Sequence, residues 1–295
     1  MSSSCLRAGS TRNNNRANAV SLSGAPAMPR GPQPSRSSAT SLRRLQRGGI
    51  LGALIKALLL VIVACAVLSC LAVLALRWIH PITSAYMLEA RVYAAVSGKP
   101  GYHTDYEWVD LEHISPNAAI AVVASEDQQF PFHAGFDFNS IREAVRASER
   151  GKKLRGASTI SQQVAKNLFL WNGGLVRKGL EAWFTVLIET LWPKERILEV
   201  YLNIAQFGEG VYGVEAAAHR FFHKPAARLT SSEASLLAVV LPNPIKMHVD
   251  RPSSYVLMRR EQNLEQMRAL GGPSYLKSIE NENPPPLAAK HRTAR

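Results

Sequence analysis

Twenty-seven consecutive residues, Ile50 to Leu76 (ILGALIKALLLVIVACAVLSCLAVLAL), carry a single charge and almost nothing polar. As a helix this run would reach roughly 40 Å at about 1.5 Å per residue, enough to cross a ~30 Å hydrocarbon core with some tilt. Lys56 lies a turn or two from its N-terminal end, where a long stem can carry the ammonium to the headgroups. A buried core helix is rarely so long or so uniformly apolar. A cleaved signal peptide would be shorter and nearer the N-terminus. Val67-Leu68-Ser69-Cys70 loosely resembles a lipoprotein processing site, but the apolar run continues past it. Arg43, Arg44 and Arg47 directly precede the run and only Arg77 closely follows. The positive-inside rule therefore predicts a cytoplasmic N-terminus, with residues 77–295 on the far side.

The span also divides the charge. The net charge is +13, which first suggests nucleic acid, but residues 1–49 hold eight arginines and no acid. With Lys56 set aside, residues 57–295 keep only +4, two of them after Gly272. The folded part is near neutral, so no nucleic-acid partner is expected. Cys5, Cys65 and Cys70 are the only cysteines, so the region beyond the span must rely on its own core rather than on disulfides.

Residues 1–49 read as a disordered basic cytoplasmic arm, rich in Ser, Asn, Arg, Pro and Gly in its first forty positions. Residues 77–116, with Trp78, Tyr86, Tyr93, Tyr102, Tyr106 and Trp108, form a membrane-proximal subregion. Residues 117–271 then read as helix after helix. An apolar helix ends at Glu126-Asp127, and Thr159-x-x-Gln162 and Thr230-x-x-Glu233 are capping boxes that open two more. Ile197, Leu198, Tyr201 and Leu202 share one face of a helix after Pro193, and the last helix stops at Gly271. Period-2 strands are not evident, so the expected class is all-α. Residues 272–295 read as a Pro-rich tail.

Four blocks carry chemistry-bearing side chains. In Ser125-Glu126-Asp127-Gln128-Gln129-Phe130-Pro131-Phe132-His133, two acids end the apolar helix where Phe130-Pro131 breaks it. A carboxylate placed against the helix dipole and flanked by aromatics is a candidate general base. In Arg155-Gly156-Ala157-Ser158-Thr159-Ile160-Ser161-Gln162-Gln163-Val164-Ala165-Lys166, helical spacing puts Thr159, Gln163 and Lys166 on one face, and Ser158 and Thr159 at a helix N-terminus that suits an anion. Arg177-Lys178-x-x-Glu181 reads blandly as a surface i, i+4 salt bridge. Lys194 to Asn203, followed by glycines at 208, 210 and 213, reads mostly as scaffold with a tight turn.

In this order and spacing the blocks resemble the peptidoglycan glycosyltransferase family, in particular its monofunctional membrane-anchored branch. The likeness covers about residues 115–271, with Leu229-Thr230-x-x-Glu233 through Leu241-Pro242-Asn243-Pro244 resembling a fifth motif. It implies a lysozyme-like multi-helix fold at the bacterial inner membrane, with the catalytic domain periplasmic. The implied substrates are lipid II and the growing glycan chain, joined through β-1,4 bonds by inverting transfer. Glu126 matches the base that deprotonates the acceptor 4-hydroxyl, and Glu181 matches a second glutamate near the diphosphate. Ser158 and Lys166 match diphosphate contacts, and Thr159, Gln162, Gln163, Arg177, Lys178 and Asn203 complete the expected substrate-binding set. As in relatives, a divalent cation (Mg or Mn) at the diphosphate is part of the expectation. So are membrane lipid and cell-division or elongation proteins as partners. Bifunctional relatives continue into a transpeptidase domain, whereas only about 24 residues follow Gly271, so no such activity is expected.

One departure from the family pattern lies between the second and third blocks. Relatives carry an additional Arg there, and here the stretch is Asn172-Gly173-Gly174-Leu175-Val176, with Arg155 or Arg177 left to substitute. Two alternatives stay open at this point: a lytic enzyme cleaving the same glycan, and a non-catalytic envelope scaffold. Cleavage needs a protonated acid beside the glycosidic oxygen and has no use for a diphosphate-gripping set.

Overall fold

The computed structural model describes residues 37–99, 101–139, 142, 146 and 158–280. Helix α1, Ser37–Ala75, begins inside the stretch expected to be a disordered arm. Its Gly49–Ala75 part is long and apolar enough to cross a membrane. Leu54, Leu58, Leu60, Val63 and Leu68 are each at least half exposed, and Val73 is the one buried residue from Gly49 to Ala75. Apolar side chains facing outward along a helix whose backbone bonds are satisfied internally match a lipid environment.

The chain divides into two units, residues 1–59 and 60–295. The centre of the second unit is α3, Pro116–Glu126, whose residues 118–124 are all buried. A short helix that is apolar all round has to lie in a core. It packs against α8 (Ser231–Val240), α9 (Ser254–Ala269) and the turn Gly272–Leu276. A second group joins α4 (Ile160–Phe169) to α5 (Leu175–Leu191), α6 (Lys194–Ile204) and α2 (Ala85–Val96). Helix α7, Val214–Phe222, and the short closing helix α10, Lys277–Glu280, complete the described α-helices. Thus the first part of the expected tail, Gly272 to Glu280, is folded, with Ile279 buried.

Helix starts follow local chemistry. Ser84, Ser115, Thr159, Thr230 and Ser253 are N-caps whose oxygens accept backbone N–H groups. At Thr159 and Thr230 both arms of the capping box form. The all-α class holds, and beside the helices lies one small sheet, of β1 (Asp105–Tyr106), β2 (Gln206–Gly208) and β3 (Val211–Tyr212) in the order β1-β3-β2. Asp105–Tyr106 pairs parallel with Val211–Tyr212, which pairs antiparallel with Gln206–Gly208. Strands of two or three residues are too short to show a period.

The glycine block is scaffold, as expected. Gly213 has φ +85°, and a Cβ there would lie 2.6 Å from the Asn203 carbonyl oxygen. Only glycine lets the sheet turn into α7 so close to the end of α6. Asn203 itself is fully buried. Its Nδ2 donates to Val109 O (2.8 Å) and Glu199 O (2.9 Å), and its Oδ1 accepts from Val109 N (2.9 Å). The expectation that Asn203 binds substrate is thereby corrected, because a buried amide clamped to backbone cannot reach a ligand. Asn203→Ala strands two backbone groups of Val109 and should lower unfolding stability by about 2–4 kcal/mol, read by denaturant melts in detergent.

The membrane end of α1 is tied to this unit by polar contacts that leave few helix-end carbonyls free. Arg196 donates to Leu76 O and Ile79 O, while Arg77 donates to Leu191 O at the end of α5. Trp192 Nε1 donates to Val73 O at 2.7 Å and Trp183 Nε1 to Ser69 Oγ at 3.1 Å.

Candidate active site

The two acids that end α3 separate at once. Asp127, the C-cap, is buried and accepts from Ile160 N at the start of α4 (2.9 Å) and from His133 Nε2 (2.9 Å). Gly135 N donates to His133 Nδ1, so Nε2 carries the ring hydrogen. The N-terminus of α4 thus offsets the unfavourable placement of Asp127 against the α3 dipole. Its loop is held further by Tyr275, whose hydroxyl donates to Gln128 O (2.6 Å). Gly135 is in the left-handed region, φ +86°, where a Cβ would strike Thr185 Cγ2 at 2.7 Å.

Glu126 is half-buried. Its Oε2 accepts from Gln163 Nε2 (2.9 Å), and Gln163 Oε1 accepts from the hydroxyl of buried Tyr201 (3.0 Å). Burial among protein atoms lifts the Glu126 carboxyl above its ordinary value. Gln163 and the Arg259 guanidinium pull it partly back, and neighbouring Asp127 adds to the lift. A lifted carboxylate is the more effective proton acceptor near neutral pH.

On the second block, the structure narrows the expected set. Thr159 is buried, its hydroxyl donating to Gly135 O (2.7 Å) and accepting from Gln162 N (3.2 Å). Gln162 is also buried and accepts from Thr159 N through Oε1 (3.0 Å). Both are corrected from ligand groups to capping groups, since their oxygens already hold the start of α4. Ser158 is exposed beside them, and Gln163 and Lys166 are partly exposed on α4.

The third block is not a surface pair. Glu181 is 3% exposed and accepts from both Arg177 and Lys178. The Lys166 ammonium lies 5.6 Å from the Tyr86 ring centre. Burial pushes Lys166 down from the ordinary lysine range, Glu181 pulls it back up, and Arg177 and Lys178 push it further down. Glu126 acts on it too, so Lys166 stands between the two glutamates electrostatically. Three cations therefore face one buried carboxylate, and Arg177 Nε is buried without a hydrogen-bond partner. Such a set calls for an anion with several acceptor oxygens. Arg155, the other candidate for the missing arginine, lies outside the described residues.

Several groups at the site escape sequence reasoning. In the sequence Tyr201 marks only an apolar face, and Arg259 only a position in the final helix. A polar trio, Ser161–Glu189–Lys194, joins α4, α5 and α6, with Lys194 Nζ donating to Glu189 Oε1 (2.8 Å) and His133 O (2.7 Å). No spacing rule brings such separated positions together.

The donor set does not suit a resident divalent ion at the cation cluster, because both oxygens of Glu181 are already taken by cations. Among the described residues, the group whose ligand atoms do converge is His80, Asp110 and Glu199. It borders a separate cavity of about 890 Å³ that contains none of the expected site residues.

Comparison with known proteins accords with this geometry. The Transglycosylase family model matches residues 93–268. A biosynthetic peptidoglycan transglycosylase of Klebsiella oxytoca is 54% identical over 224 residues, 75% of this chain and 92% of that protein. One of Xanthomonas campestris pv. campestris (strain B100) is 52% identical over 211 residues, covering 71% and 86%. One of Pectobacterium carotovorum subsp. carotovorum (strain PC1) is 53% identical over 197 residues, covering 66% and 81%. With well over half of its length matched by the family and most of each relative aligned, the chain belongs to the transglycosylase family.

Proposed function

We propose that this chain performs peptidoglycan glycosyl transfer by polymerising lipid II, with Glu126 as the general base. Glu126 takes the proton of the acceptor 4-hydroxyl as that oxygen attacks the donor's anomeric carbon. The bond from that carbon to the lipid diphosphate breaks, and the α-linked donor becomes a β-1,4 product in one displacement. Lys166, Arg177 and Lys178 hold the departing diphosphate, whose charge needs cations more than it needs an acid. The observation that carries this reading is a Gln163-bonded carboxylate lifted by burial on one side of Lys166 and, on the other, two further cations gathered on buried Glu181, with Lys166 subject to both glutamates.

A lytic reading shares the lifted carboxylate but leaves the cations without a task. Purified full-length protein given lipid II in detergent should build glycan strands and release undecaprenyl diphosphate. Failure to polymerise, with shortening of preformed strands instead, would overturn synthesis.

In the same proposal α1 anchors the chain in the inner membrane, with a cytoplasmic N-terminus and the catalytic unit outside. Reporter fusions after Gly271 are expected to be active only on the outer side. Activity confined to the cytoplasm would remove both the topology and access to the flipped lipid substrate.

A further inference from the structure

The Gln163 amide has two chemically different ends, and at this site they meet different partners. Its Nε2 faces the Glu126 carboxylate at 2.9 Å and its Oε1 faces the Tyr201 hydroxyl at 3.0 Å. We propose that Tyr201 is a positioning residue for the base, fixing which end of the Gln163 amide faces Glu126. This rests on the reading of Glu126 as the base.

In a flipped amide the oxygen would point at Glu126, repelling the ionised carboxylate and welcoming only the protonated acid. The nitrogen would point at Tyr201, turning the phenol from donor to acceptor. Tyr201 is 1% exposed, and Gln163 is the partner to which its hydroxyl donates. The flip would strand the phenol hydrogen in the core, where a buried donor without an acceptor is unfavourable. Burial also holds the Tyr201 phenol well above its ordinary value, so it stays protonated and remains a donor throughout the working range. The phenol thus keeps the amide hydrogens on the base, in the arrangement that favours the ionised, proton-accepting form.

In Tyr201→Phe that constraint is gone. The amide can follow the protonation state of Glu126, and the protonated acid gains an oxygen to donate to. The carboxyl therefore rises further, and less of it is ionised at a given pH. The other charged groups acting on Glu126 are Asp127 beside it, Arg259 from α9 and Lys166 from α4, and the substitution leaves all three in place.

The test is the pH profile of lipid II polymerisation by the full-length protein, with donor KM measured alongside. For Tyr201→Phe the acid limb of kcat should move up by about one pH unit, equivalent to ~1.4 kcal/mol or about tenfold in rate below the limb. Above the limb the rates should converge on wild type, and donor KM should stay within about twofold. Gln163→Leu should raise the limb as well, and adding Tyr201→Phe to it should move the limb no further. A purely structural tyrosine would scale kcat alike at every pH and leave the limb still, and that result would overturn the proposal. Should Tyr201→Phe fail to fold, an unmoved limb in Gln163→Leu overturns it equally. A fully active Glu126→Gln would instead remove the base reading itself.

Discussion

Replacing Glu126 by glutamine is expected to cut turnover by about 10²–10⁴, the worth of a positioned base, while lipid II still binds. The amide matches the carboxylate in shape and can still accept from Gln163 Nε2, so the local packing is kept. What it lacks is the capacity to take a proton. Stability gives a second reading of the same variant. The Glu126 carboxyl is raised by burial above its ordinary value, so its charged form is disfavoured in the fold. As pH rises through that raised value, ionisation removes stability that is fully present below the ordinary carboxylate range. Glutamine never ionises and escapes the loss. At neutral pH the variant should therefore melt no lower than wild type, and its advantage should vanish in acid. Thermal melts in detergent at two pH values, run beside the polymerisation assay, check both halves. An inactive variant that also melts well below wild type would point to a structural role.

The second large effect is expected at the cations. Lys166→Ala should lower kcat/KM for the donor by about 10²–10³, the usual loss when one charge-stabilising group is removed, with a smaller effect on the acceptor. The reason is where the charge develops: the diphosphate leaves the donor. Lys166 is the cleaner probe of the three. Arg177 and Lys178 both donate to Glu181, and truncating Arg177 leaves a 3% exposed carboxylate short of a partner. Breaking a buried pair in that way costs about 3–5 kcal/mol, so Arg177→Ala mixes folding with binding. A double-mutant cycle between Arg177 and Glu181 reads that coupling, which should far exceed the ~0.2–0.5 kcal/mol of a surface helical pair. Separate titrations of donor and acceptor measure the Lys166 effect. Unchanged donor kinetics would return that face of α4 to ordinary solvated surface.

Local chemistry makes much of the fold legible. The span at Gly49–Ala75, the capping boxes at Thr159 and Thr230 and the apolar α3 all follow from rules acting within a turn or two of helix. The order of the blocks likewise points to Glu126, Lys166 and Glu181 as one neighbourhood. What stays hidden depends on contacts between distant positions. Glu126 and Asp127 look equivalent in sequence, and they differ because the backbone N–H of Ile160, far along the chain, donates to Asp127 alone. Glu181 reads as half of a surface pair until the packing of α4 against α5 buries it. Asn203 and Gln162 look like substrate groups because polar side chains within a candidate site attract that reading, yet backbone partners hold both. Tyr201 is legible as core and illegible as a hydrogen-bond donor to Gln163.

A single inverting displacement, driven by one carboxylate base and completed by cations on the leaving diphosphate, is the centre of the proposed mechanism. Stereochemistry tests it most directly. Lipid II labelled with ¹³C at the anomeric carbon, polymerised by the purified full-length protein, reports the configuration of each new bond by NMR. An inverting displacement gives β-linkages alone from the α-linked donor. Product that retains the α configuration would contradict it, since retention requires a glycosyl-enzyme intermediate on a carboxylate that Glu126, as a base, does not provide.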